Sequence, residues 1–179
     1  KVTVLDIGAH IGTFSLLCLM RGAEKVYAVE PFSDNHRMLT KNLKDFADKS
    51  STLKLGIYTE TRFATLEYPE NENNFFYLSN VKLHSKGEDV PSDLTHFVKL
   101  DELLAAIPET EVDILKIHTT YAEAEILLSS EHIGKCNYIC GEMNLTKEKI
   151  QELIQSLEAK GFKDSFFAES KEKEGEYLC

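Results

Sequence analysis

The sequence predicts an α/β fold: a Rossmann-like, mostly parallel central sheet with helices on both faces and an antiparallel edge strand. Three observations lead there. The opening KVTVLDIGAHIGTFSLLCLMRGAEKVYAVEP reads as strand, glycine turn, helix and second strand. Short apolar runs return at 112–118 and 135–143, continuous enough for strands buried on both faces. Stretches of helical period separate them. The 179 residues suit one α/β domain with a proper core. Residues 1–179 are therefore expected as a single unit, with 59–99 as an irregular or hairpin insertion. The chain starts almost inside its first strand, which leaves room for a segment removed upstream.

Taken in order, Val2, Thr3, Val4 and Leu5 form the first strand, which stops at Asp6. Gly8 and Gly12 bracket the turn, where glycine tolerates positive φ and lets a ligand approach bare backbone. Phe14, Leu16, Leu17, Leu19 and Met20 suit a helix packed on a sheet and closed by Gly22. The second strand, Lys25 to Val29, ends in Glu30. Met38, Leu39, Leu43, Phe46 and Ala47 predict an amphipathic helix over 32–48. Residues 51–58 read as one strand and 62–68 as another. Residues 82–93, with Gly87 and Pro91, read as an irregular solvated stretch. A short strand at 97–100 leads into a helix at 101–107 stopped by Pro108. The strand at 112–118 precedes a helix at 122–130. Thr146 N-caps a helix at 147–160 that Gly161 ends. A sixth strand is expected at 162–168, and an antiparallel edge strand from Tyr177.

The spacing of the first unit narrows its ligand. A dinucleotide fingerprint is G-x-G-x-x-G, whose close glycines bring a helix N-terminus against a pyrophosphate. Here the glycines are Gly8 and Gly12, His10 stands between them, and Asp6 precedes the turn. A wider turn with an acid before it suits a ligand without a pyrophosphate, one with an ammonium and a carboxylate. Glu30 can accept two hydrogen bonds from vicinal ribose hydroxyls. Nucleoside plus amino acid is S-adenosylmethionine. The bland alternative is a tight βα turn and a solvated strand end. Pro31 and Phe32 would form the adenosine side, and Glu60 is the candidate for the adenine amino group.

Charge and composition exclude other partners. Twenty basic against thirty acidic residues leave a net charge of −10, which argues against a phosphate-backbone binder. No stretch approaches the ~20 apolar residues of a bilayer span, and no signal peptide opens the chain. The expected setting is cytoplasmic, the expected partner a small molecule, with neither nucleic acid nor membrane. Cys18, Cys136, Cys140 and Cys179 show no metal or disulfide pattern; in a strand, Cys136 and Cys140 stand roughly 13 Å apart. They read as reduced thiols. His84 and His96 lack paired ligands and read as surface or capping residues.

His118 closes a strand at its carboxyl end, where functional groups collect in open α/β sheets. Its imidazole either serves as a general base or metal ligand, or simply ends the strand against Tyr121 or Glu123.

Four blocks carry a family resemblance: DIGAHIGTFS from Asp6, VYAVEPF from Val26, LDEL from Leu100 and DILKI from Asp113. They resemble the FkbM-type methyltransferases, class I enzymes that use S-adenosylmethionine, often on hydroxyls of sugars or secondary metabolites. The resemblance spans nearly the whole chain. It implies the class I methyltransferase fold, with Asp6, Gly8, Gly12 and Glu30 lining the cofactor site and Glu30 on the ribose. The family has asparagine where this chain has His10. After Lys116-Ile117 the family pattern runs Asp, any residue, Glu, Gly, Ala, Glu. Here it reads His118, Thr119, Thr120, Tyr121, Ala122, Glu123, so two carboxylates and a glycine are replaced. The expected activity is O-methylation of a small-molecule or sugar hydroxyl, with His118 as base and Tyr121 or Glu123 orienting it. No metal is expected. Two alternatives are a non-catalytic relative that keeps the cofactor turn, and a nicotinamide-dependent oxidoreductase, which the glycine spacing disfavours.

Overall fold

Alternation along the first strands sets the layers. In the computed structural model, β1 (Thr3–Ile7) and β2 (Lys25–Val29) pair in parallel. Val4, Val26 and Ala28 pack on one side with Leu19, Leu39 and Leu43; Leu5, Ile7, Tyr27 and Val29 join the larger cluster on the other. That period of two, with both faces apolar, is what a sheet covered by helices on both sides requires. The structure describes residues 1–66, 81–83, 94–119, 122–165, 167–169 and 176–178.

The remaining elements follow the chain. Helix α1 (Thr13–Met20) links β1 to β2, and α2 (Ser33–Asn42) leads to β3 (Ser50–Leu53). Then come β4 (Gly56–Tyr58), β5 (Arg62–Leu66), β6 (Val81–Leu83) and β7 (Leu94–Lys99). Helix α3 (Leu100–Ala106) precedes β8 (Val112–Ile117), and α4 (Glu123–Ser129) precedes β9 (Cys136–Asn144). Helix α5 (Lys147–Ala159), β10 (Ala168–Glu169) and β11 (Glu176–Leu178) complete the order. Among the described residues the main sheet runs β10-β11-β9-β8-β1-β2-β3, with β9 to β3 all parallel. Leu103, Leu104, Ile126, Leu127, Leu153 and Leu157 seal one face from α3, α4 and α5. The Rossmann-like α/β class is as expected. No helix among the described residues is long and apolar enough to cross a membrane.

Five elements differ from the sequence reading. The run 51–58 is two strands in two sheets: β3 extends the main sheet on β2, while β4 pairs in parallel with β7 in a sheet ordered β4-β7-β5-β6. Gly56 permits that second pairing, since a Cβ there would stand 2.3 Å from the Phe97 ring. Lys82 and Leu83, read as irregular, belong to β6, which pairs antiparallel with β5. The helix over 32–48 breaks at Leu43 into α2 and a short 3₁₀ turn at Lys44–Phe46. The strand at 162–168 does not start at Phe162. The Phe162 N–H donates to Leu157 O at 3.1 Å and that of Gly161 to Glu158 O at 3.0 Å. This Schellman closure of α5 spends the donor a strand would need. Thr146 caps the same helix at its start, accepting from Lys149 N. Strand β11 is antiparallel as expected but lies between β9 and β10 rather than at the edge. Residues 67–80, 84–93, Thr120 and Tyr121, with the readings that fell on them, lie outside the described residues.

The turn after β1 is held by backbone contacts. The N–H groups of Gly8 and Ala9 both donate to Val29 O, and Gly12 N donates to Ala9 O. Gly8 has φ +73, and a Cβ there would lie 1.9 Å from the His118 carbonyl oxygen. Gly12 has φ +88, and its Cβ would meet the end of the Leu39 side chain at 2.5 Å. The glycines thus let β8 and α2 close on the turn. His10 shares the left-handed region at φ 53, a conformation that costs a β-carbon-bearing residue about 1–2 kcal/mol.

Two expectations follow. Gly8→Ala sets a Cβ against backbone that cannot rotate away, whereas Gly12→Ala meets a side-chain tip. Chemical denaturation should show a loss above about 3 kcal/mol for Gly8→Ala and about 1–3 kcal/mol for Gly12→Ala. Asp101 gathers the loop after α4, accepting from Ser130 Oγ, Glu131 N and His132 N. Burial pushes its carboxyl up, but these donors outweigh it and hold the group below 3.8. A lowered acid stabilises the fold fully above its unfolded value and loses that contribution as pH falls through the folded one. Asp101→Asn should lower stability by about 0.5–2 kcal/mol at neutral pH and flatten the melting-temperature curve below pH 4.

Candidate active site

The carboxyl ends of β2, β1 and β8 form one mouth, and the residues that end them are Glu30, Asp6-Ile7-Gly8 and Lys116-Ile117-His118. At β2, Glu30 is 4% exposed. Its Oε2 accepts from His10 N at 2.8 Å, and its Oε1 accepts from Phe32 N at 3.0 Å and Asn35 Nδ2 at 3.4 Å. Burial raises its carboxyl above the ordinary value, against the pull of those donors and of the Lys116 charge. Glu30 therefore ties both flanks of the mouth together, the glycine turn on one side and Phe32 on the other.

Asp6 is fully buried. Ser15 Oγ donates to its Oδ2 at 2.7 Å, and Lys116 Nζ stands 3.0 Å from its Oδ1. That second contact is an ion pair without hydrogen-bond alignment, and the Lys116 ammonium donates to Gly8 O at 2.8 Å. Lys116 was not singled out from the sequence. The signal in the sequence was a lysine inside an apolar strand; the structure adds that it is in register with Asp6.

His118 continues past β8, its N–H donating to Ile7 O at 3.0 Å. Its side chain is exposed, and among the described residues its imidazole has no hydrogen-bond partner. His10, also exposed, stands close enough to feel it. Burial lowers the His10 imidazole below its ordinary value, and the charges of Lys116 and His118 add to that. Glu123, at the start of α4, is 2% exposed and accepts from Thr119 N at 2.6 Å. It orients the loop next to His118 rather than the imidazole itself. Tyr121 lies outside the described residues.

The second sheet closes on the β2 side. Thr95 Oγ1 donates to Pro31 O at 3.5 Å, and Ala64 and Phe97 pack with Phe32 and Tyr58. Glu60 is exposed in the turn after β4, where its carboxylate faces Arg62 at 3.8 Å. Asp6, Gly8, His10, Gly12, Glu30 and His118 are thus brought together and Pro31 adjoins them; among the described residues Glu60 forms no hydrogen bond or ion pair with that group. Among the described residues no cluster of three metal-ligating side chains occurs.

The fold has known relatives. A methyltransferase FkbM from Methylobacillus flagellatus is 17% identical, with a TM-score of 0.55 over 88% of this chain and 36% of that one. TrmK of M. capricolum, solved with S-adenosyl-homocysteine, is 10% identical, with a TM-score of 0.56 over 99% and 59%. The N-terminal domain of human METTL16, in complex with SAH, is 12% identical, with a TM-score of 0.52 over 99% and 60%. Among curated proteins, the AMB antimetabolite synthetase AmbE of Pseudomonas aeruginosa is 25% identical over 157 residues, 70% of this chain. The chain spans only 7% of that protein's length. The Methyltransferase FkbM domain matches residues 6–163, from Asp6 at the end of β1 to beyond α5, and the chain belongs to that family.

Proposed function

We propose that this chain uses S-adenosylmethionine to methylate a hydroxyl of a small-molecule or sugar acceptor, with His118 as general base. One observation carries the choice of base. Each carboxylate at the mouth spends an oxygen on an internal partner: Asp6 on Ser15 and Lys116, Glu30 on backbone N–H groups, Glu123 on Thr119. The imidazole of His118 is exposed and unengaged among the described residues.

The residues present fit such a cofactor. Helix α1 opens on Gly12 with no side-chain cap and no acid in its first turn, which leaves its first N–H groups for a carboxylate. Glu30 Oε2 accepts one N–H, so acceptor capacity remains for ribose hydroxyls. Pro31 and Phe32 supply the adenosine side, backed by Thr95 and Phe97. Glu60 enters the set only by its place after β4. When bound, the cofactor supplies a methyl group already activated by the sulfonium. The protein then aligns the acceptor oxygen and removes its proton. A ring nitrogen of His118 takes that proton, and Glu123 fixes the backbone beside it, with Tyr121 as the other orienting candidate. The half-buried free thiols Cys18 and Cys140 suit a reducing, cytoplasmic setting.

A second reading rests on the same segment. His118 and Thr120 stand where the family pattern has acids, so the chain could bind cofactor without turning it over. One set of measurements separates the readings. At a hundredfold excess over its dissociation constant a ligand adds roughly 2.7 kcal/mol, which should raise the melting temperature by about 5–11 °C. We expect that shift with S-adenosylmethionine and S-adenosylhomocysteine and none with NADH; no shift with the first two would end the cofactor reading. Turnover is then read as S-adenosylhomocysteine formation with hydroxylated acceptors. His118→Ala should lower the rate by about 10²–10⁴-fold and leave cofactor affinity intact. An unchanged rate would remove His118 from the mechanism. Binding without turnover on any acceptor would favour the second reading.

Cofactor affinity should also depend on acid. The ionised Glu30 holds His10 N and Phe32 N, and burial raises its carboxyl above 4.5. Affinity measured by calorimetry should therefore begin to fall at a higher pH than an ordinary carboxylate would give. Glu30→Gln should weaken binding and abolish that acid limb.

A further inference from the structure

A largely buried lysine on a central parallel strand is costly unless its charge is paired and its donors are used. Lys116 meets both conditions at one place. Its side chain is 15% exposed and Asp6 is 0% exposed, and the two are direct neighbours in the β1–β8 register. The ammonium donates to Gly8 O at 2.8 Å. Asp6, through Oδ2, also takes the Ser15 hydroxyl from the first turn of α1. One buried ion pair thus fastens the end of β1, the glycine turn and the start of α1 to β8.

The rest of the turn depends on that fastening. Gly8 N and Ala9 N are committed to Val29 O, Gly12 N to Ala9 O, and His10 N to Glu30. With the Gly8 carbonyl drawn to Lys116, the Gly8–Ala9 peptide is fixed at both ends. The next N–H along is the one that meets Glu30. No part of Asp6 reaches the surface, so an internal ammonium stands where a ligand's ammonium would otherwise be sought.

We propose that Lys116 is a positioning residue of the cofactor site: held by Asp6, its ammonium grips the Gly8 carbonyl and sets the glycine turn in its ligand-receiving form. Asp6 then acts on the ligand through Lys116 and does not touch it. The proposal rests on the cofactor reading above and goes beyond it, by giving the first acid of the motif an indirect role and naming its intermediary.

The test uses S-adenosylhomocysteine and its analogue lacking the amino group, titrated by calorimetry below the melting temperature of each variant. Wild type that binds neither ligand would overturn the cofactor reading itself. Given binding, Lys116→Met should weaken S-adenosylhomocysteine by about 10–100-fold, the range for groups that orient a site from behind. That variant leaves the Asp6 charge buried and unpaired and is the one at risk of not folding. The double variant Asp6→Asn, Lys116→Met removes both charges together and should fold, checked by circular dichroism. It should show the same loss as Lys116→Met alone, since both changes break one device. Asp6→Asn should weaken the two ligands by the same factor. A double variant that binds like wild type overturns the proposal. So does an Asp6→Asn that weakens S-adenosylhomocysteine but leaves the deaminated analogue unchanged, because that pattern is direct contact with the ligand's ammonium.

Discussion

The mouth of this domain depends on how closely β8 approaches the turn after β1. The His118 carbonyl lies where a Cβ at Gly8 would be, and the His118 N–H takes Ile7 O. Only a glycine at that point lets the strand run on far enough to deliver an imidazole to the edge of the turn. The same approach brings Lys116, two residues earlier on the strand, within reach of Gly8 O. Steric permission at one Cα thus sets the position of the candidate base and of the buried ammonium together.

Electrostatics at the mouth run against the chain as a whole. A net charge of −10 leaves acids in excess, yet the three carboxylates nearest the turn are buried and engaged from within. They serve as acceptors that shape backbone rather than as a field presented to a ligand. The groups left facing outward are the imidazoles of His10 and His118. His10 is kept neutral further down the pH scale by burial and by Lys116. Under the proposed reaction the proton would pass to an imidazole, where the family pattern places acids.

The parts of this arrangement that were legible in sequence are the local ones. The spacing of Asp6, Gly8, Gly12 and Glu30 within one βαβ unit placed four groups at one mouth, because strand, turn and helix lengths fix where each ends. Thr146 and Gly161 announced the limits of α5 for the same reason. What stayed hidden depended on partners distant in the chain. Residues 51–58 look like one strand until β7, some forty residues later, claims the second half. Phe162 looks like the start of a strand, but a helix closure that needs only Gly161 and Leu157 takes its N–H. Glu60 follows a strand that belongs to the second sheet, a membership its sequence position did not announce. Lys116 was visible as an oddity, a charge in a buried run. Its meaning required knowing that β8 sits beside β1.

A buried ion pair is seldom the most stabilising filling for its space; apolar residues of similar volume often do as well or better. The retention of Asp6 and Lys116 is better explained by what an apolar pair could not do. Two methyl-bearing side chains would fill the volume between β1, α1 and β8. They would leave Gly8 O facing inward without a donor, and a buried carbonyl in that state costs about 1–3 kcal/mol. The turn would relieve that cost by rotating the Gly8–Ala9 peptide, which carries the Ala9 N–H off Val29 O and shifts His10 N relative to Glu30. Lys116 is the side chain that can reach this carbonyl from within the sheet, and Asp6 is what allows its charge to remain there. On that reasoning the pair serves the geometry of a glycine turn more than the stability of the core.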